Sequence, residues 1–171
     1  MKKVLVLYKS KTGFSKRYAE WIAEDLACDC RSIKGVKLED LNGYGLVIYG
    51  SGIYAGMLAG SGKIKNWIKK SPEKTWVVFA TGATPPKEGY EELIFKTNFR
   101  KGESRPAHFY YFLSGINYEK MGLSDRLLMK FFTFITARKS AKSRTAKQTS
   151  IDLANRDYIE ELLRYVRLKA R

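Results

Sequence analysis

At 171 residues and 44% hydrophobic content, the chain has the length to bury the core of one globular domain, which excludes an intrinsically disordered protein. Its 32 Lys and Arg against 17 Asp and Glu leave a formal net charge of +15, so an anionic partner is expected: a membrane face, nucleic acid or an acidic small molecule. The opening MKKVLVLY has the flanks of a signal peptide, but Lys9 ends the apolar run early and no later stretch could span a bilayer, so a cytoplasmic location is expected.

Residues 4–8 (VLVLY) lack the alternation of a sheet with one wet face and predict a strand buried on both faces. After the loop SKTG, Tyr18, Ala19, Ile22, Ala23 and Leu26 recur at spacings of three and four, the stripe of an amphipathic helix. CDCRSI at 28–33 reads as a short second strand. In it Cys28 and Cys30 share a face, too close for easy bridging, and with one histidine in the chain they are too few for a metal site, so both thiols read as core packing. LVIYG at 46–50 is the third strand candidate; Ile64, Trp67 and Ile68 then mark a helix over about residues 60–70, stopped by Pro72. TWVVFAT at 75–81 is the fourth strand, and a polar segment with Pro and Gly leads to the fifth, HFYYFL at 108–113, where His108 reads as structural. Ile151, Ala154, Tyr158, Leu162 and Val166 predict a long closing helix capped by Thr149 or Ser150.

Strands separated mostly by helices need crossover connections, hence a parallel sheet with helices on both faces: a doubly wound α/β fold in a single domain. Ligands of such sheets sit outside the carboxyl ends of the strands, so the loops 9–15, 50–59 and 81–90 should line one site. Two nucleotide motifs fail there. Gly56 and Gly62 enclose one residue too many for a Walker A loop, and Ile64 stands where Ser or Thr should bind magnesium. GSGIYA at 50–55 spells G-x-G-x-x-A, but after the third strand, and no acidic residue ends the next one. In the first loop the hydroxyls of Ser10, Thr12 and Ser15 surround Gly13 at the entry to a helix. Hydroxyls and helix-start N–H groups without an obligatory cation suit a phosphate monoester, although such a loop can also serve only as a helix cap.

S-K-T-G-F-S resembles the T-x-T-G-x-T phosphate loop of flavodoxins, in that family's usual place after the first strand, and the order of elements is similar across nearly the whole chain. The resemblance implies a five-stranded sheet of order 2-1-3-4-5 and bound FMN. The phosphate would lie on Ser10, Lys11, Thr12, Gly13, Phe14 and Ser15. The ring would lie between Ser51, Gly52, Ile53, Tyr54 and Ala55 on one side and Thr81, Gly82 and Ala83 on the other. Tyr54 would stack on it, and backbone groups of Thr81, Gly82 and Ala83 would meet its pyrimidine edge. TGATPPKEGY departs from the family, which commonly has an acidic residue and an aromatic there; its Tyr comes late, at Tyr90.

Flavodoxins that carry electrons are commonly acidic, whereas a positive field should stabilise reduced, anionic FMN and raise its potential. An added helical stretch, 115–149, precedes the last helix and also sets the chain apart from small flavodoxins. From Leu123 to Ile135 its apolar residues cover too wide an arc for an ordinary surface helix, and Arg138, Lys139, Lys142, Arg144 and Lys147 follow with no acid among them. Together with Arg126 and Lys130, this is the pattern of peripheral contact with the anionic inner face of a membrane. A homodimer interface or a buried extra helix would use the apolar arc equally. With Gly115, Tyr118, Asp125-Arg126 and Lys130, and with GSGIYAG and Lys69-Lys70, the chain resembles the flavodoxin-like, quinone-dependent protoporphyrinogen IX dehydrogenases. That resemblance implies oxidation of a porphyrinogen, with the electrons leaving to a quinone. The alternatives are an electron shuttle or redox sensor without a substrate of its own, and a basic module for membrane or nucleic acid, nucleic acid being the least favoured. No side chain stands out as a general acid or base.

Overall fold

The computed structural model describes residues 2–117, 119 and 150–171. The anion-contact positions Arg126, Lys130, Arg138, Lys139, Lys142 and Arg144, the apolar arc before them and the cap candidate Thr149 lie outside the described residues.

The strands are β1 (Val4–Lys9), β2 (Asp29–Ser32), β3 (Leu46–Tyr54), β4 (Met57–Leu58), β5 (Thr75–Gly82), β6 (His108–Leu113), β7 (Gly115–Ile116) and β8 (Ile151–Asp152). The helices are α1 (Phe14–Leu26), α2 (Ser61–Lys70), α3 (Tyr90–Asn98) and α4 (Glu160–Lys169). Five strands pair in parallel in the order β2-β1-β3-β5-β6, with β4 folded back antiparallel on the end of β3. With that short hairpin strand set aside, this is the expected 2-1-3-4-5 sheet.

Successive strand residues enter opposite cores, which is why the strands show no polar face. Leu5, Leu7, Val47, Tyr49 and Val78 pack under α2 and α3 with Ile64, Trp67 and Ile94. Val6, Ile48, Val77, Phe79 and Phe112 pack under α1 and α4 with Tyr18, Ile22, Leu162 and Val166. Cys28 and Cys30 are half-buried free thiols against this second core, as their spacing implied.

Burial pushes the Cys28 thiol up to about 12 and Cys30 up to about 11. A raised thiol stays neutral in the fold, so its share of stability is complete below about pH 9 and is lost as pH rises toward those values. Iodoacetamide at pH 8 should label the native thiols at least ten-fold more slowly than the unfolded chain. Equal rates would put both thiols at the surface.

Two elements differ from expectation. The segment after β5 contains α3, signalled locally by Gly89 in the left-handed region, Glu91 and Glu92 in the first turn and Lys96 in the last. The closing helix starts later than its stripe suggested. Ile151 and Asp152 form β8 instead, paired with β7, and Asn155 rather than Thr149 or Ser150 is the cap, its side chain accepting from Asp157 N at 3.0 Å. A 3-10 turn at Arg156–Ile159 leads into α4. Ile151 and Ala154 fitted the helical period by coincidence, because a backbone partner from β7 claims that stretch first.

Candidate functional site

The register brings the three loops level at the carboxyl edge of the sheet: Lys9 pairs with Ser51, Gly52 with Thr81, and Gly82 with Leu113. In the first loop Ser10 Oγ accepts from Gly13 N at 3.0 Å, and Gly13 turns the chain into α1 with φ 101°. Glycine reaches that region without steric cost. The first helical bond runs from Arg17 N to Gly13 O at 3.0 Å, so the N–H groups of Phe14, Ser15 and Lys16 have no intrahelical acceptor. Among the described residues no side chain caps this helix, and no carboxylate stands in its first turn. The cap role therefore does not account for the loop's hydroxyls, and the positive end of the helix stays available to an outside anion.

Each hydroxyl has its own place. Ser15 and Thr81, both 3% exposed, hydrogen-bond each other at 2.8 Å and staple α1 to the end of β5. Their side chains are internal. Thr12 is half-buried, and its hydroxyl has no protein partner among the described residues. Phe14 is buried at 6% exposure, so it can serve the loop through its backbone N–H. Ser15→Ala alone should cost about 1–3 kcal/mol by orphaning the Thr81 hydroxyl. Adding Thr81→Val should recover part of that loss in urea unfolding, whereas two losses that merely add would mean the hydroxyls do not pair.

The second loop is shorter than expected, because β3 continues through Tyr54. The chain then turns at Ala55 and Gly56, with φ 49° and 81°, into β4. Ser51 is therefore buried at 0% exposure, and its hydroxyl donates to Ala59 O at 2.9 Å. The glycines of GSG are explained by packing. A Cβ on Gly50 would lie 1.8 Å from Phe79 Cζ, and one on Gly52 would lie 3.1 Å from the Tyr54 ring. Ile53 and Tyr54 are half-buried and Ala55 is exposed. Above Tyr54 lies Lys11 Nζ, 4.5 Å from the ring centroid.

Asn98, missed in the sequence because it sits on the unexpected α3, holds this hairpin. At 1% exposure it accepts from Leu58 N at 2.7 Å and donates to Gly56 O at 3.0 Å. An Asn on the apolar side of EELIFKTN was the available signal.

In the third loop Gly82 and Ala83 are half-buried. Gly82 leaves room for the Tyr111 hydroxyl, which donates to Thr84 O at 2.8 Å, while Tyr90 meets the Tyr111 ring edge-on at 5.0 Å. His108 begins β6 at the opposite edge of the sheet, stacked on Tyr110 at 4.7 Å and edge-on to Tyr165 at 4.7 Å. Among the described residues no group of His, Cys, Asp and Glu is placed to hold a metal.

Residues 5–143 match the family described as Flavodoxin domain. The chain belongs to that flavodoxin family. Oxidised flavodoxin 2 from Bacillus cereus is similar with a TM-score of 0.50 at 20% identity, over 80% of this chain and 99% of that one. A flavoprotein in complex with FMN from Lactobacillus acidophilus gives 0.46 at 21% identity, over 65% of this chain and 93% of that one. The likeness to the Bacillus cereus protein speaks for the fold alone. No curated protein matches the chain.

On this flavodoxin frame, the added stretch is anchored at the edge of the loop cluster. Its first residues, β7, pair with β8 just beyond its far end, Leu153 N donates to Ser114 O at 2.6 Å, and Ser114 N donates to Gly82 O at 2.8 Å. From α1, Arg17 pairs with Asp152 at 2.7 Å, and Phe14 packs beside Gly115.

Proposed function

We propose that the chain binds FMN and works as an FMN-dependent oxidoreductase that oxidises a porphyrinogen-type substrate and passes the electrons to a quinone. The observation that carries the reading is the start of α1, where uncapped N–H groups, the Thr12 hydroxyl and the absence of a first-turn carboxylate meet in the first loop of a flavodoxin fold. These groups suit a phosphate dianion. Tyr54 offers the flat surface for the ring, and backbone groups at Gly82 and Ala83 stand where its pyrimidine edge would come. When bound, FMN supplies a two-electron acceptor; the chain binds it, orients it and sets the field around it.

A net charge of +15 favours a substrate carrying carboxylates, and the added stretch begins at Gly115, next to Phe14 and one residue after Ser114, which is bonded to Gly82, where a substrate would approach the ring. Porphyrinogen and quinone both favour membranes, so we place the protein in the cytoplasm, held to the anionic inner face through the basic residues from Arg126 to Arg144. No helix among the described residues is long and apolar enough to cross a membrane. The second reading is an electron carrier or redox sensor. It is favoured by the position of His108, the one histidine, at the far edge of the sheet from the loops.

Flavin-free protein titrated with FMN, followed by quenching of flavin fluorescence, should bind roughly a hundred-fold more tightly than with riboflavin, since several charge-assisted hydrogen bonds are lost with the phosphate. Equal affinities would move the phosphate away from this loop. Loaded protein should then be bleached anaerobically by protoporphyrinogen and recover its colour with a quinone. Tight FMN binding without bleaching would favour the carrier.

A further inference from the structure

At the amino edge of the sheet, opposite the loops, a cavity of about 410 Å³ opens between the end of α2, the start of β5 and the segment that leads into β6. Small ligands occupy cavities of roughly 300–1,000 Å³. Ile68, Pro72 and Trp76 give this one its apolar surface, and Lys69, Lys74 and Arg105 bring three cations to it; among the described residues no Asp or Glu lines it.

The cations are committed to different degrees. Lys74 Nζ donates to Tyr44 O at 3.0 Å and lies 3.5 Å from Glu73. Arg105 Nε donates to Arg100 O at 3.2 Å, and its guanidinium lies 5.4 Å from the centroid of the Phe95 ring. These contacts hold the side chain in place and leave its Nη groups without a protein acceptor among the described residues. Lys69, in the last turn of α2, pairs with no carboxylate among the described residues. The negative end of α2 accounts for a lysine there, but not for an arginine that arrives from another element. That end is also closed by protein, since Ser71 N and Ser71 Oγ both donate to Trp67 O, at 3.0 and 2.7 Å. Cations that share an apolar hollow repel one another, and an anion seated between them relieves the repulsion.

We propose that this cavity binds a small amphiphilic anion, a carboxylate on an apolar body, with the body against Ile68 and Trp76 and the carboxylate on Lys69 and Arg105. Trp76 and Gly82 stand near opposite ends of β5, about 20 Å apart at the usual rise of a strand. The site is therefore separate from the flavin loops and does not depend on the FMN reading. An anionic lipid has the same chemistry, but a hollow of this size holds one small body, which favours a free molecule.

The test uses octanoate as the probe and NMR of the whole chain as the readout. Octanoate should shift the indole N–H of Trp76, which donates to Ser71 Oγ at 3.2 Å beside the cavity, and leave that of Trp21 on α1 in place. Octanol, the same body without the charge, should bind about five-fold more weakly. Lys69→Met and Arg105→Met should each weaken octanoate about five-fold and leave octanol unchanged, because only the charge is lost, whereas Lys69→Arg should keep the affinity. Equal binding of octanoate and octanol, or Met variants that bind octanoate as tightly as the unaltered protein, would overturn the proposal. So would a Trp76 resonance indifferent to octanoate. If that indifference came with Met variants that bind phosphatidylglycerol vesicles less well, the cations would serve a lipid surface and not a pocket.

Discussion

Gly50→Ala should be among the most damaging single substitutions in this protein, with an expected loss of about 3 kcal/mol, the upper part of the range for overpacking a core. The added methyl would fall 1.8 Å from Phe79 Cζ and 2.3 Å from its Cε1. Phe79 is 0% exposed and stacked on Phe112 at 5.2 Å, so the ring has nowhere to retreat. Urea unfolding should show a lower midpoint with an unchanged slope. Gly62→Ala is the control: it sits in α2 with no atom within 4 Å of an added Cβ, and should be neutral or stabilising by up to about 1 kcal/mol. If the two variants behaved alike, the Phe79 ring would not lie across Gly50. The result also bears on function. A first glycine needed for an aromatic ring in the core leaves the G-x-G-x-x-A match without a pyrophosphate to explain it.

Gly115→Ala should open the base of the added stretch while leaving the sheet intact. Gly115 has φ 148° and would place its Cβ 2.0 Å from Ile151 O, a backbone atom that cannot rotate away. Strain of this kind costs on the order of 1–3 kcal/mol. Because β7 and β8 hold only four residues, the cost should appear as local opening. The amide of Leu153, bonded to Ser114 O, should lose roughly ten-fold or more in protection from hydrogen exchange. Amides of β5, such as Val78, should keep theirs. Under the proposed function FMN affinity should change little, since the first loop and the start of α1 are untouched. Undiminished protection at Leu153 would mean that the pairing of Gly115 with Asp152 does not hold the neck.

The parts of the fold that were legible in the sequence are those encoded by near neighbours. The unbroken apolar run of β1, the three-and-four stripe of α1 and the loop between them report a buried strand, an amphipathic helix and an anion-ready turn, because each depends on residues within a few positions of one another. The parallel sheet followed from the alternation of such elements, and the strand order from the likeness of the loop and of the element series to flavodoxins. Even α3 carried its own end signals in Glu91, Glu92 and Lys96; it was obscured by the Pro and Gly residues before it.

What only the tertiary structure decided is who meets whom across the chain. Ser15 finds Thr81 66 positions away, Asn98 finds Leu58 and Gly56, and Arg17 finds Asp152 135 positions away. The same kind of partnership extended β3 to Tyr54 and turned Ile151 and Asp152 into a strand, against a helical period that was locally satisfactory. Local sequence determines which backbone conformations are cheap. A hydroxyl, an amide or a ring face is assigned by the closest partner that burial offers it, and that partner is chosen by the packing of the whole sheet.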